Sequence, residues 1–109
     1  MARQVDKVYI AGKVTGLTLQ EARRNFMRAE TLFKRAGLQV INPLRLCRPS
    51  WSWSLCMVVC LWNLAQCKYV AMLSNWRDSR GARIEYKFAK LLRKRMFIQV
   101  ENSGLWEMV

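Results

Sequence analysis

Apolar and polar residues along this chain alternate between two periods, and the switches between them mark the elements. Lys7-Val8-Tyr9-Ile10-Ala11 is a β-branched and aromatic run closed by Gly12, which predicts a buried strand. After the loop Gly12-Lys13-Val14-Thr15-Gly16, Thr18 and Glu21 form a capping box that opens a helix to Ala36. Ala22, Phe26, Ala29 and Phe33 recur at helical spacing and predict its inner face, while Arg23, Arg24, Arg28, Lys34 and Arg35 predict the outer one. Gly37 ends it as the C′ residue. Leu38–Ile41 reads as a second strand closed by Asn42-Pro43, and the segment from Leu44 to Ser54 as loop. Serines in the Ser50-Trp51-Ser52-Trp53-Ser54 stretch offer caps for a second helix, Leu55 to about Gln66. Tyr69–Leu73 and Met96–Val100 predict the third and fourth strands. Between them, Asp78 or Ser79 caps a third helix that runs to Arg93. The tail from Glu101 either pairs at a sheet edge or packs on a partner subunit.

Strands alternating with helices at this spacing imply right-handed βαβ crossovers, so the expected class is α/β, with a parallel sheet of four to five strands covered on both faces. Residues 1–109 are read as one domain, without repeats or linkers. Ligands of such sheets sit beyond the carboxyl ends of the strands. Three features converge there: the Gly12–Gly16 loop, the Asn42-Pro43 corner and the helix start at Asp78–Gly81.

The third helix carries the sharpest chemical signal. On a wheel of about 100° per residue, Gly81, Ala82, Phe88, Ala89 and Leu92 fall within about 60° of Glu85, with Arg80, Arg83, Lys87, Lys90 and Lys94 on the far side. A carboxylate is thus set in an apolar stripe beside small residues that leave room for a ligand. Carboxylates are seldom buried unless paired or working. Glu85 either meets an arginine, an amide or a structural water, or it reacts. The helix start ahead of it favours an anion such as a phosphate, through free N–H groups and the helix dipole.

Composition narrows the partner. The net charge of +12 calls for something anionic: nucleic acid, nucleotides, an acidic protein or a membrane surface. The absence of histidine excludes histidine acid–base chemistry and histidine-containing zinc sites. Cys47, Cys56, Cys60 and Cys67 lack CxxC spacing and are read as small buried apolar residues in a reducing compartment, so neither metal nor cofactor is expected. The start, Met1 to Lys7, shows no apolar export signal, and the run Leu55–Leu64 is too short to span a bilayer, which together predict a cytoplasmic protein.

Tyr9-Ile10-Ala11-Gly12-x-x-Thr15-Gly16, Asn42-Pro43 and Trp76-x-x-Ser79-x-Gly81-Ala82-x-x-Glu85 resemble the nucleoside 2-deoxyribosyltransferase-like superfamily, above all its small DUF4406 branch. The resemblance runs from about Lys7 to Val100 and implies a three-layer, flavodoxin-like α/β/α fold. It implies cleavage or exchange of the N-glycosidic bond of a deoxynucleoside or its monophosphate. Glu85 would attack the anomeric carbon, and Tyr9 would position that carboxylate and the sugar. Ser79 at its place implies a 5′-phosphate contact, hence a nucleotide. Gly12, Lys13, Thr15, Gly16, Asn42, Asp78 and Gly81 complete the implied substrate site, with Lys13 where a proline is common. Cys60 and Lys68 stand where the group often carries aspartates, the first of which assists the leaving base.

Two other functional readings stand beside this one: a nucleotide-binding protein that has lost turnover, and, less favoured, nucleic-acid binding through the basic helix faces. Trp51 and Trp53 are read as lids over the core or as platforms for a base. Five tryptophans exceed what so small a core absorbs, which predicts a homo-oligomer through the second helix and the Trp51–Trp53 loop.

Overall fold

The structure, a computed structural model, describes residues 5–101 and 104–109. The first four residues of the stretch read as lacking an export signal lie outside the described residues. The described chain runs β1 (Lys7–Ala11), α1 (Leu19–Arg35), β2 (Gln39–Ile41), α2 (Trp53–Ala65), β3 (Tyr69–Met72), α3 (Arg80–Leu91), β4 (Arg95–Gln99) and β5 (Trp106–Met108). The strands form one mixed sheet in the order β2-β1-β3-β4-β5. The pairings among β2, β1, β3 and β4 are parallel, and β5 returns antiparallel along β4. Of the two fates read for the tail, edge pairing is the one observed, with Trp106 edge-on against Phe33, ring centroids 5.0 Å apart.

Alternation along β1 sorts the core. Val8 and Ile10 pack with Phe26, Ala29 and Phe33 of α1. Tyr9 and Ala11 pack with Cys60 and Leu64 of α2 and with Ala82 and Ala89 of α3. This is the two-residue period of a strand, which sends successive side chains to opposite faces. At the end of β1 the chains approach closely: a Cβ on Gly12 would lie 2.5 Å from Leu73 Cδ1. Gly12 is therefore required by packing.

Each helix opens on a hydroxyl that accepts from a backbone N–H. Thr18 Oγ1 takes Glu21 N–H at 3.1 Å, Ser52 Oγ takes Leu55 N–H at 3.1 Å, and Ser79 Oγ takes Ala82 N–H at 3.2 Å. Because Ser52 supplies the cap, α2 begins at Trp53 rather than Leu55. The predicted loop before it also contains a 3₁₀ turn at Pro43–Arg45, capped by Asn42. α3 ends at Leu91 rather than Arg93, whose φ of 57° takes the backbone out of the helix.

The cysteines require a correction. Cys47 and Cys56 are joined in a disulfide, Cα atoms 5.5 Å apart, so they are not free apolar side chains. The loop after β2 folds back over the first turns of α2 and brings together sulfurs that linear spacing does not associate. Cys60 and Cys67 are free and buried, as expected. Among the described residues, no helix is long and apolar enough to cross a membrane.

Candidate functional site

Ala82, Glu85 and Ala89 form the buried stripe of α3, and Glu85 is 6% exposed. From β1, wholly buried Tyr9 donates its hydroxyl hydrogen to Glu85 Oε2. Among the described residues no lysine or arginine pairs with Glu85. Burial pushes its carboxyl from 4.5 up to about 7, partly opposed by the Tyr9 hydrogen bond. Tyr9 itself is held well above its usual pKa, by burial first and then by the negative charge of Glu85.

A second buried carboxylate shows what the ordinary solution looks like. Glu30 of α1 is 2% exposed, but Arg45 reaches one of its oxygens and Lys34 lies 3.5 Å from the other. The Asn42 amide adds a contact at 3.5 Å. Pairing with cations, one of the fates read for Glu85, is thus met at Glu30. At Glu85 a single neutral hydroxyl takes that place, which leaves a carboxyl poised between its two protonation states near neutral pH.

A cavity of about 780 Å³ opens over Glu85, within the range of small-molecule sites. Gly12 and Thr15 line it from the loop after β1, and Asp78, Ser79 and Gly81 from the start of α3. Those five and Glu85 are the sequence-predicted residues that the fold brings onto one wall. Tyr9 stands behind Glu85 as its support. Lys13, Gly16 and Asn42 are not on the wall. The Lys13 backbone N–H instead donates to Asn75 Oδ1 at 3.0 Å and ties the β1 loop to the loop after β3. Gly16 makes a left-handed turn at φ 92°, and Asn42 Oδ1 accepts from Leu44 N–H at 3.0 Å. Lys68 opens β3 at the other end of the sheet, 3.6 Å from Asp6, and is remote from the cavity.

Several wall residues were not anticipated. Arg23, placed on the outer face of α1, lines the cavity, and so do Arg48 and Arg80. A helical wheel shows direction around an axis, not whether that end of the helix meets a cavity. Arg80 lies 4.7 Å from the ring centroid of half-exposed Trp53, the first residue of α2. Trp53 thus belongs to the cavity rim rather than to a loop folded over the core. Among the described residues, none of these three arginines is in an ion pair. The remaining acid on the wall is Asp78, so cations outnumber carboxylates there. Gly81 brings α2 close, since a Cβ there would meet Met57 Sδ at 3.2 Å. Cys47, Cys56 and Cys60 complete one side of the wall. Burial raises the Cys60 thiol to about 11, and the Glu85 charge adds to this, while the Tyr9 hydroxyl acts in the opposite direction.

The family model described as Domain of unknown function (DUF4406) matches residues 6–98. The chain belongs to the DUF4406 family. The match runs from the start of β1 through most of β4, so every wall residue named above lies inside the DUF4406 domain. No curated protein matches the chain.

The arrangement can hold an anionic ligand at the arginine-rich mouth. It can also present the ligand's interior end to a desolvated carboxyl. Such a carboxyl, once ionised, is a nucleophile or a base with few competing partners.

Proposed function

We propose that this DUF4406 domain binds a nucleoside monophosphate and breaks or exchanges its N-glycosidic bond, with Glu85 as the nucleophile. The observation that carries the reading is the buried Glu85, paired with no cation among the described residues and held by Tyr9, at the base of a cavity whose mouth bears Arg23, Arg48 and Arg80. Phosphate at the arginines and the start of α3 would leave the sugar over Glu85. In the first step a Glu85 oxygen attacks the anomeric carbon, and the C–N bonding pair leaves with the base, which takes a proton from solvent. Water then attacks the glycosyl ester, releasing sugar phosphate and restoring the carboxylate; a second base in place of water gives transfer. Thr15, Asp78, Ser79 and the backbone at Gly12 and Gly81 would orient the ligand.

The same reading places the domain in the nucleoside 2-deoxyribosyltransferase-like superfamily with a three-layer, flavodoxin-like arrangement. The strand order and the packing of α1 against one sheet face and α2 and α3 against the other support it. It includes a homo-oligomer through α2, where Leu55, Val58 and Trp62 form an exposed apolar stripe.

One observation favours a second reading, a nucleotide-binding protein without turnover. On α2, the Cys60 thiol feels the Glu85 charge and is pushed up to about 11, which makes it a poor proton donor to a leaving base. Incubation with deoxynucleoside monophosphates separates the two. Free base appears under the first reading, whereas calorimetric binding with intact nucleotide recovered afterwards supports the second.

A further inference from the structure

Three of the four cysteines gather at one place, where the core beneath α2 meets the cavity wall. Cys47 comes from the segment after β2, and Cys56 and Cys60 lie one turn apart on α2. Their sulfurs all fall within 4.8 Å of one another. Cys60 Sγ is 3.8 Å from Cys47 Sγ and 3.9 Å from Cys56 Sγ.

These two nearly equal distances place Cys60 broadside to the Cys47–Cys56 bond. Thiol–disulfide exchange needs the attacking sulfur in line with the bond it breaks, so the cluster is not set for internal exchange. It is set for something else. Zinc–thiolate bonds of about 2.3 Å in a tetrahedral site put neighbouring sulfurs about 3.8 Å apart. Two of the three edges already have that length, and reduction of the disulfide releases the third.

We propose that, once the Cys47–Cys56 bond is reduced, Cys47, Cys56 and Cys60 together hold one thiophilic divalent cation of the zinc class on the cavity wall. An all-sulfur donor set selects soft or borderline ions over magnesium or calcium. All three residues line the cavity, so an ion has a route in. Three thiolates on a divalent cation carry one net negative charge. Arg23, Arg48 and Arg80 on the same cavity compensate it. A dithiol reductant delivers two electrons and two protons to the Cys47–Cys56 bond and leaves as its own disulfide. Binding the cation then releases three protons, one from each thiol.

The site is thereby redox-gated: oxidised, it has one free thiol; reduced, it has three. Cys67 is an internal control, buried elsewhere with its sulfur 3.3 Å from the Asn63 carbonyl oxygen. The proposal stands apart from the nucleotide reading, and its test uses no nucleotide. The full chain, reduced with a phosphine under anaerobic conditions and freed of the reductant, is titrated with cadmium and followed by thiolate-to-metal charge-transfer absorption. Zinc stoichiometry is then measured by competition with a chromophoric chelator. One equivalent is expected for the reduced chain and for Cys67→Ser. The oxidised chain, Cys60→Ser and Cys47→Ser should each lose tight binding, by about a hundredfold or more. Cys47 is only part-buried, so Cys47→Ser reports on the site even if Cys60→Ser fails to fold. Absence of charge-transfer absorption from the reduced chain, or equal binding by the oxidised chain or by folded Cys47→Ser, overturns the proposal.

Discussion

Tyr9 and Glu85 are 76 residues apart in sequence and joined by a hydrogen bond in the core, the tyrosine hydroxyl giving its hydrogen to a carboxylate that pairs with no cation among the described residues. This pair couples the centre of the sheet to the floor of the cavity. Without the hydroxyl, burial alone would set the Glu85 protonation state.

Tyr9→Phe therefore moves the Glu85 titration upward. A hydrogen bond to a charged group is worth roughly 1.5–3 kcal/mol, so the midpoint should rise by about one pH unit or more. The pH profile of base release from a deoxynucleoside monophosphate, rising through about 7 in the wild type, should shift to higher pH in the variant. An unmoved midpoint would mean that the hydroxyl does not tune the carboxyl.

Stability should depend on pH through the same group. Glu85 has a carboxyl pKa of about 7 in the folded chain, against 4.5 ordinarily, so between these values the folded state keeps a proton that the unfolded state releases. Its contribution is complete below about pH 4.5 and is lost as pH rises through 7, by something on the order of 3 kcal/mol. Tyr9 from β1 and Cys60 from α2, both pushed upward by burial, stay protonated across this window. Denaturant melts at pH 5 and pH 8, with the Cys47–Cys56 bond intact, should show the fall in the wild type and its near-absence in Glu85→Gln.

Much of this architecture is legible in the chain. Alternation in Lys7–Ala11 and the helical spacing of Ala22, Phe26, Ala29 and Phe33 describe surfaces that the fold buries as read. Glu85 is visible because helical period alone places it among Ala82 and Ala89. Glu30 carried the same signal, sitting between Phe26 and Phe33 on the inner face of α1, but its partner Arg45 comes from a turn whose path no local pattern specifies. The disulfide and the arginine mouth were hidden for that same reason. Cys47 and Arg48 lie in the connection after β2, and only the tertiary path brings them to α2 and the cavity. Lys13 and Asn42 enter the expected site through the family resemblance; in the fold, the Lys13 backbone amide tethers two loops and the Asn42 side chain caps a turn.

If the cavity mouth grips a phosphate, Arg48→Ala should weaken deoxynucleoside monophosphate binding about tenfold, a loss of roughly 1.4 kcal/mol. Binding of the corresponding nucleoside should change little. Calorimetry on both ligands at two salt concentrations checks this, and equal losses for nucleotide and nucleoside would remove the phosphate from that position.

Trp62 is 70% exposed and Val58 65% exposed on α2, an apolar stripe suited to a second copy of the chain. Light scattering at micromolar concentration should give twice the 12.8 kDa chain mass or a higher multiple, and Trp62→Arg should return it to the monomer. A wild-type monomer would reassign the stripe to solvent.

The central claim is that Glu85 makes the bond to the sugar, and release of free base tests it most directly. Wild type and Glu85→Gln are incubated separately with each of the four 2′-deoxynucleoside monophosphates and with a panel of modified nucleotides, and free base is quantified by chromatography. The account predicts base from at least one nucleotide with the wild type and at least a thousandfold less with Glu85→Gln, about 4 kcal/mol of lost transition-state stabilisation. No base from any nucleotide, or equal release by the folded Glu85→Gln protein, would contradict it.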